Sequence, residues 1–130
     1  MILNDKEIQS VIKLEPLKRY QYFLKKIADH EKMFALKDEE GNYALSSIDN
    51  HILLPLWPFM QYATLAKRNP EWEQYSISEI TLNDFKSQLI PLIEANRYLI
   101  NVFPVGDTTG FILDLEEFNR DLDVELEKYE

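Results

Sequence analysis

The sequence predicts an α+β fold: a single domain with a mostly antiparallel sheet, built from two hairpins plus further strands and packed by four to five helices. Three observations carry that expectation. Two pairs of short alternating runs flank Gly-containing loops, which is the pattern of antiparallel hairpins. Apolar stripes at spacings of three and four recur between them, each with a helix-start signal. No Gly/Pro/Ser-rich linker divides the 130 residues, a length suited to one domain.

Asp5 to Lys13 reads as a short amphipathic helix with Ile8, Val11 and Ile12 on one side. Residues 1–14 are taken as an N-terminal extension and 15–130 as the domain. Pro16 suits the first turn of a longer helix, where its missing N–H costs nothing. Leu17, Tyr20, Phe23, Leu24 and Ile27 should then face a core. Met33 to Lys37 and Tyr43 to Ser46 surround the loop Asp38-Glu39-Glu40-Gly41-Asn42 and read as the first hairpin, with Gly41 taking positive φ.

Ile52 to Leu56 reads as a third strand, placed at an edge or ending there because Pro55 cannot donate to a ladder. Pro58 opens a helix to about Lys67 that buries Phe59 and Tyr62, and Arg68-Asn69-Pro70 stops it. Tyr75 to Ile80 alternates and reads as a strand. Thr81 with Asp84, and Asp114 with Glu117, have capping-box spacing. Each precedes an apolar stripe: Leu82, Phe85, Leu89 and Leu92 in one, Leu115, Phe118, Leu122 and Leu126 in the other. Pro91 should kink or split the first of these helices. Tyr98 to Phe103 and Phe111 to Leu113 form the second expected hairpin around Pro104 to Gly110.

Composition excludes several functions. The chain is 45% hydrophobic and 12% aromatic, which is globular rather than disordered. It has no Cys, so disulfides, thiolate metal sites and a Cys nucleophile are out. Lys+Arg 14 against Asp+Glu 23 gives a net charge of −9, whose field repels phosphate and argues against nucleic acid and anionic membranes as partners. The charge is uneven: the first 37 residues are net basic, while the final helix is strongly acidic. The start lacks a cationic region followed by an apolar stretch. The most apolar run, Ile52 to Met60, is broken by two prolines and falls short of the roughly 20 residues a membrane helix needs. A cytoplasmic protein is expected.

Candidate chemistry is thin. There are two histidines. His30 sits at a helix C-terminus, where a cation complements the dipole. His51 follows Asp49-Asn50 in a polar connection, without a nucleophile to serve. Neither has the paired spacing of a zinc helix. Glu39-Glu40, Glu71 with Glu73, and Glu116-Glu117 fall in turns or on polar helix faces, where nothing raises one carboxyl for acid–base work. Gly106 to Gly110 lacks the Lys-Ser/Thr ending of a phosphate loop. Three glycines cannot build a dinucleotide fingerprint. No catalytic, cofactor-binding or metal residue is therefore assigned.

Several segments together resemble a known family. They are Arg19-Tyr20 and Tyr22-Phe23, then Leu36-Lys37-Asp38-Glu39-Glu40-Gly41-Asn42, then Leu54-Pro55-Leu56-Trp57-Pro58 with Tyr62-Ala63. Trp72, Ile80-Thr81-Leu82, Phe85, Val102-Phe103-Pro104 and the acidic final helix follow in order. The chain is similar, from about Glu15 to Glu127, to small bacterial proteins grouped as a domain of unknown function, number twenty-seven fifty. The resemblance implies a compact α+β protein and brings no activity, cofactor or site residues.

The functional expectation is a non-catalytic protein-interaction module, inhibitor- or immunity-like, that meets a basic protein partner through its acidic surface. Trp72, with Glu71 and Glu73, is the candidate interaction surface, because a tryptophan in a polar segment can anchor a partner. The alternative is a small-molecule binder or weak enzyme with a pocket near Trp57, Tyr43, Tyr62 and His51. A third reading is self-association through an edge strand.

Overall fold

The computed structural model describes residues 3–129. Helix α1, Asp5–Val11, starts where the Asn4 side chain accepts a hydrogen bond from the Glu7 N–H at 2.8 Å. Helix α2, Pro16–His30, has Pro16 in its first turn and ends on Glu31 in the left-handed region at φ 59°. Tyr20, Phe23, Leu24 and Ile27 are buried as the stripe requires. Leu17 is instead 48% exposed, and the buried side chain of that first turn is Arg19.

Strand β1, Lys32–Lys37, is followed by the expected turn. Asp38 Oδ1 accepts from the N–H groups of Glu40 and Asn42, both at 2.9 Å, and Gly41 takes φ 86°. The hairpin stops after one bridge, Lys37 to Tyr43. Ser46–Ile48 (β2) turns back at Asp49, φ 53°, and pairs antiparallel with β3, His51–Leu56. The full antiparallel partner of β1 is β4, Ser76–Thr81, in the register Lys32 to Thr81 through Lys37 to Ser76. Local turn chemistry at Asp38 to Asn42 thus fixes a bend, while the ladder is decided by a distant strand.

Helix α3, Met60–Ala66, lies between β3 and β4 and buries Tyr62, Ala63 and Ala66. Thr81 Oγ1 caps α4, Leu82–Asp84, by accepting from the Asp84 N–H at 3.0 Å. A π-helical segment, Phe85–Leu89, leads without a break into α5, Ile90–Asn96. In an unbroken α-helix the Ser87 carbonyl would be paired with residue 91, which is proline. The wider π turn shifts the pairing by one residue, so Pro91 is absorbed without ending the rod. Strand β5, Leu99–Val102, and β6, Phe111–Leu113, form the second expected hairpin. Helix α6, Leu115–Glu127, starts where Asp114 Oδ1 accepts from the Glu117 N–H at 2.9 Å.

The α+β expectation for one domain stands. The single sheet resolves into two: β1–β4, and a four-stranded sheet in the order β2-β3-β5-β6. Three pairings are antiparallel, and β3 runs parallel to β5. The β2 ladder ends at Leu53, so Pro55 lies where β2 no longer flanks the strand. Phe34 and Trp57 join the sheets with reciprocal N–H to carbonyl bonds of 2.8 Å. Trp57, Tyr62, Phe23, Phe85, Phe103 and Phe118 are the bulk of the core.

Gly110 is where the β5–β6 return presses hardest on its partner. A Cβ there would lie 1.9 Å from the Val102 carbonyl oxygen. The Gly110 N–H also bonds the buried Asn101 Oδ1 at 2.7 Å. Gly41 has open space and only a positive φ. Gly110→Ala should therefore cost at least about 2 kcal/mol in guanidinium unfolding. Gly41→Ala should cost about 1 kcal/mol. Equal losses would contradict the close approach.

Candidate functional site

A cleft of about 460 Å³ opens between the end of α3 and the β5–β6 loop. One wall holds Tyr62, Leu65 and Ala66, then Arg68, Asn69 and Pro70 just past the helix. The other holds residues Phe103 to Asp107, and Ile12 closes one end from behind α1.

The loop wall is held from inside the protein. Phe103 adopts φ 62°, a left-handed conformation that a bulky residue takes at a cost of roughly 1–3 kcal/mol. Three elements fix it there. The Phe103 N–H donates to the Leu56 carbonyl at 2.8 Å. The Phe103 carbonyl accepts from Arg19 Nε at 3.0 Å. The Pro104 carbonyl accepts from the Trp57 indole N–H at 3.0 Å. Arg19 also donates to the Leu14 carbonyl, and its guanidinium lies 5.9 Å from the Phe103 ring centre. Burial pushes the Arg19 pKa down, and backbone carbonyls replace the water it has lost. At the tip, Gly106 takes φ 63° and Thr108 donates from its N–H and hydroxyl to the Val105 carbonyl, at 3.2 and 2.7 Å.

The helix wall is fixed by its own exit turn. The Arg68 and Asn69 N–H groups donate to the Leu65 and Ala66 carbonyls, both at 3.1 Å. Asn69 Oδ1 accepts from the Glu71 N–H at 3.0 Å. The turn then folds Trp72 back against Trp57, edge to face, with ring centres 5.9 Å apart. Trp72 is only 7% exposed. It is a core residue and not an exposed anchor, because the polar residues around it face outward while its ring covers Trp57. Glu71 and Glu73 remain exposed on either side.

Of the four residues expected in a pocket, Tyr62 alone lines the cleft. Trp57 stands behind it, tied to the wall through the Pro104 carbonyl. Tyr43 is half-buried beside Lys37, whose Nζ lies 4.7 Å from the ring centre. His51 is exposed at the start of β3, opposite Ile48, so the four do not converge. His30 ends α2 as expected, packed edge-on to Phe59 at 5.2 Å with a buried Nε2 that has no hydrogen-bond partner. Glu39, Glu40, Glu116 and Glu117 are exposed. Among the described residues no three His, Asp or Glu side chains gather as a metal site would require. Sequence reasoning missed Arg19, Phe103, Arg68 and Asn69. For Arg19 the available signal was a basic residue beside Tyr20 in an otherwise core-facing stripe.

Behind the cleft, three polar side chains link the helices. Tyr22 donates to Glu7 Oε2 at 2.7 Å, and the Tyr62 and Tyr22 hydroxyls are 3.0 Å apart. Since the Tyr22 proton points to the carboxylate, Tyr62 is the donor in the second bond. Burial first, then hydrogen bonding to Tyr62 and Glu7, pushes the Tyr22 pKa up. Burial likewise pushes Tyr62 up. Tyr20, which donates to Asp121 Oδ2 at 2.7 Å, is raised by burial and then by that carboxylate.

A pH prediction follows from these phenols. Their ordinary pKa is 10.0, and folding keeps them neutral above it. The stability they contribute is full below pH 10 and is lost as the pH rises further, by up to about 1.4 kcal/mol per pH unit for each tyrosine. Guanidinium unfolding between pH 9 and 11.5 should show this decline, and Tyr20→Phe should flatten it by about a third. A flat profile in the parent protein would contradict the assignment.

No helix among the described residues is long and apolar enough to cross a membrane. No curated relative matches the chain. The profile of one family, described as a protein of unknown function (DUF2750), matches residues 20–122. That span covers every cleft residue except Ile12. The chain belongs to this DUF2750 family, the one its Tyr20-to-acidic-helix pattern resembles.

Proposed function

We propose that this protein is a non-catalytic binder of a small, largely apolar molecule held between α3 and the β5–β6 loop. The observation that carries this reading is the cleft itself. Its volume of about 460 Å³ falls in the range of roughly 300–1,000 Å³ usual for small-molecule sites. Its walls are mainly apolar, from Ile12, Leu65, Ala66, Phe103 and Val105, with a few polar groups at the mouth. One wall is fixed by buried hydrogen bonds, so little ordering is required when a ligand enters.

The non-catalytic part rests on the groups nearest the cleft. The phenol that lines the cleft, Tyr62, could act as a base or nucleophile only with a lowered pKa, whereas burial raises both it and its partner Tyr22, and the carboxylate on the loop wall, Asp107, is exposed. Neither hydroxyl is activated, and each is occupied in the chain that ends on Glu7.

A second reading, recognition of a basic protein, is favoured by the net charge of −9 and by exposed Glu71, Glu73, Glu116 and Glu117. It has lost Trp72 as an anchor. Titration of the ¹⁵N-labelled protein with 1-octanol separates the readings. Saturable amide shifts should concentrate at Leu65, Ala66, Phe103 and Val105, and Val105→Trp should abolish them by filling the cleft. If no amide moves, the cleft reading fails. Recognition of a basic protein then remains, tested by retention of a partner at low but not high salt.

A further inference from the structure

Resting on that cleft reading, we propose that the ligand is an organic anion, a monocarboxylate with an apolar body, whose charged end is taken by Arg68 and Asn69. Among the described residues Arg68 is the one cationic residue lining the cleft. It is exposed at the mouth, and its backbone is held by the Leu65 carbonyl at 3.1 Å. The chain carries 23 acidic residues, yet among the described residues no carboxylate lies within 4.0 Å of Arg68. No carboxylate of the described residues therefore occupies its guanidinium, whose planar fork fits the carboxylate of a ligand.

Asn69 adds to the same lip. Its Oδ1 is engaged by the Glu71 N–H at 3.0 Å, which leaves the amide NH₂ as its free group. The mouth of the α3 wall thus presents donors side by side, and the complementary group on a ligand is an acceptor with negative charge.

Asp107 sits on the facing wall, after Gly106, and is exposed. It repels an anion placed at the loop side, so it sets the ligand's direction: charge toward α3, apolar body across Leu65, Phe103 and Val105. The long-range field of a chain of charge −9 does not favour anions, which makes the recognition local to Arg68.

Isothermal titration of the full chain with octanoate, 1-octanol and octylammonium tests the proposal. Octanoate should bind tightest. Arg68→Gln should weaken octanoate by about fivefold, the upper range for an exposed ion pair, and leave 1-octanol unchanged, which also shows that the variant is folded. Asp107→Asn should not weaken octanoate. Equal binding of octanoate and 1-octanol, a preference for octylammonium, or an octanoate preference that survives Arg68→Gln would overturn the anion assignment while the cleft reading stands. If none of the three binds saturably, both fall.

Discussion

The corner at Phe103 and Pro104 is the constraint on which the rest depends. Two consecutive carbonyls there are each taken by a buried donor from a different element, Arg19 on α2 and Trp57 after β3. The left-handed backbone at Phe103 turns these carbonyls inward and sends the following loop out over α3. A hydrogen bond from a charged donor contributes about 1.5–3 kcal/mol, enough to offset the strain of one such residue. Remove either donor and a buried carbonyl is left unsatisfied. The same corner therefore explains why an arginine is buried, why a tryptophan follows Pro55-Leu56, and why one wall of the cleft is firm.

Aromatic packing carries that constraint outward. Phe103 meets Tyr62 at 4.6 Å, Tyr62 meets Phe59 at 6.2 Å, and Trp57 meets Trp72 at 5.9 Å. These contacts make the α3 wall and the loop wall parts of one packed body, with the cleft as the space they cannot fill. Polarity is kept to the lips, at Arg68, Asn69 and Asp107. The acidic face of α6 lies apart from this arrangement. Its N-cap at Asp114 and its early Glu116 and Glu117 serve the helix itself, because negative charge at an N-terminus complements the dipole.

Local signals were legible wherever they acted locally. Pro16, Thr81 and Asp114 mark helix starts, Gly41 marks a turn, and the stripe from Tyr20 to Ile27 marks a core face. What sequence reasoning missed is set by residues far apart in the chain. The pairing of β1 with β4 spans more than the local turn can specify, and the parallel β3–β5 contact has no short-range signature. Pro91 was visible as a disturbance, but the π turn that absorbs it was not. Trp72, between Glu71 and Glu73, suited a surface anchor as well as a side chain folded back onto the core, and its ring is buried. Arg68-Asn69-Pro70 read as a helix stop, which it is. That it also forms a lip depends on a loop more than 30 residues later.

Exchange of the Trp57 indole proton, followed by NMR in deuterated solvent, tests the central claim most directly. The indole N–H can leave the Pro104 carbonyl only if the corner opens. If the corner is integral to the core, the opening free energy should equal that of global unfolding measured with denaturant. An indole that exchanges through a much cheaper local opening, while Phe34 and Trp57 backbone amides stay protected, would show that the cleft wall moves independently of the fold.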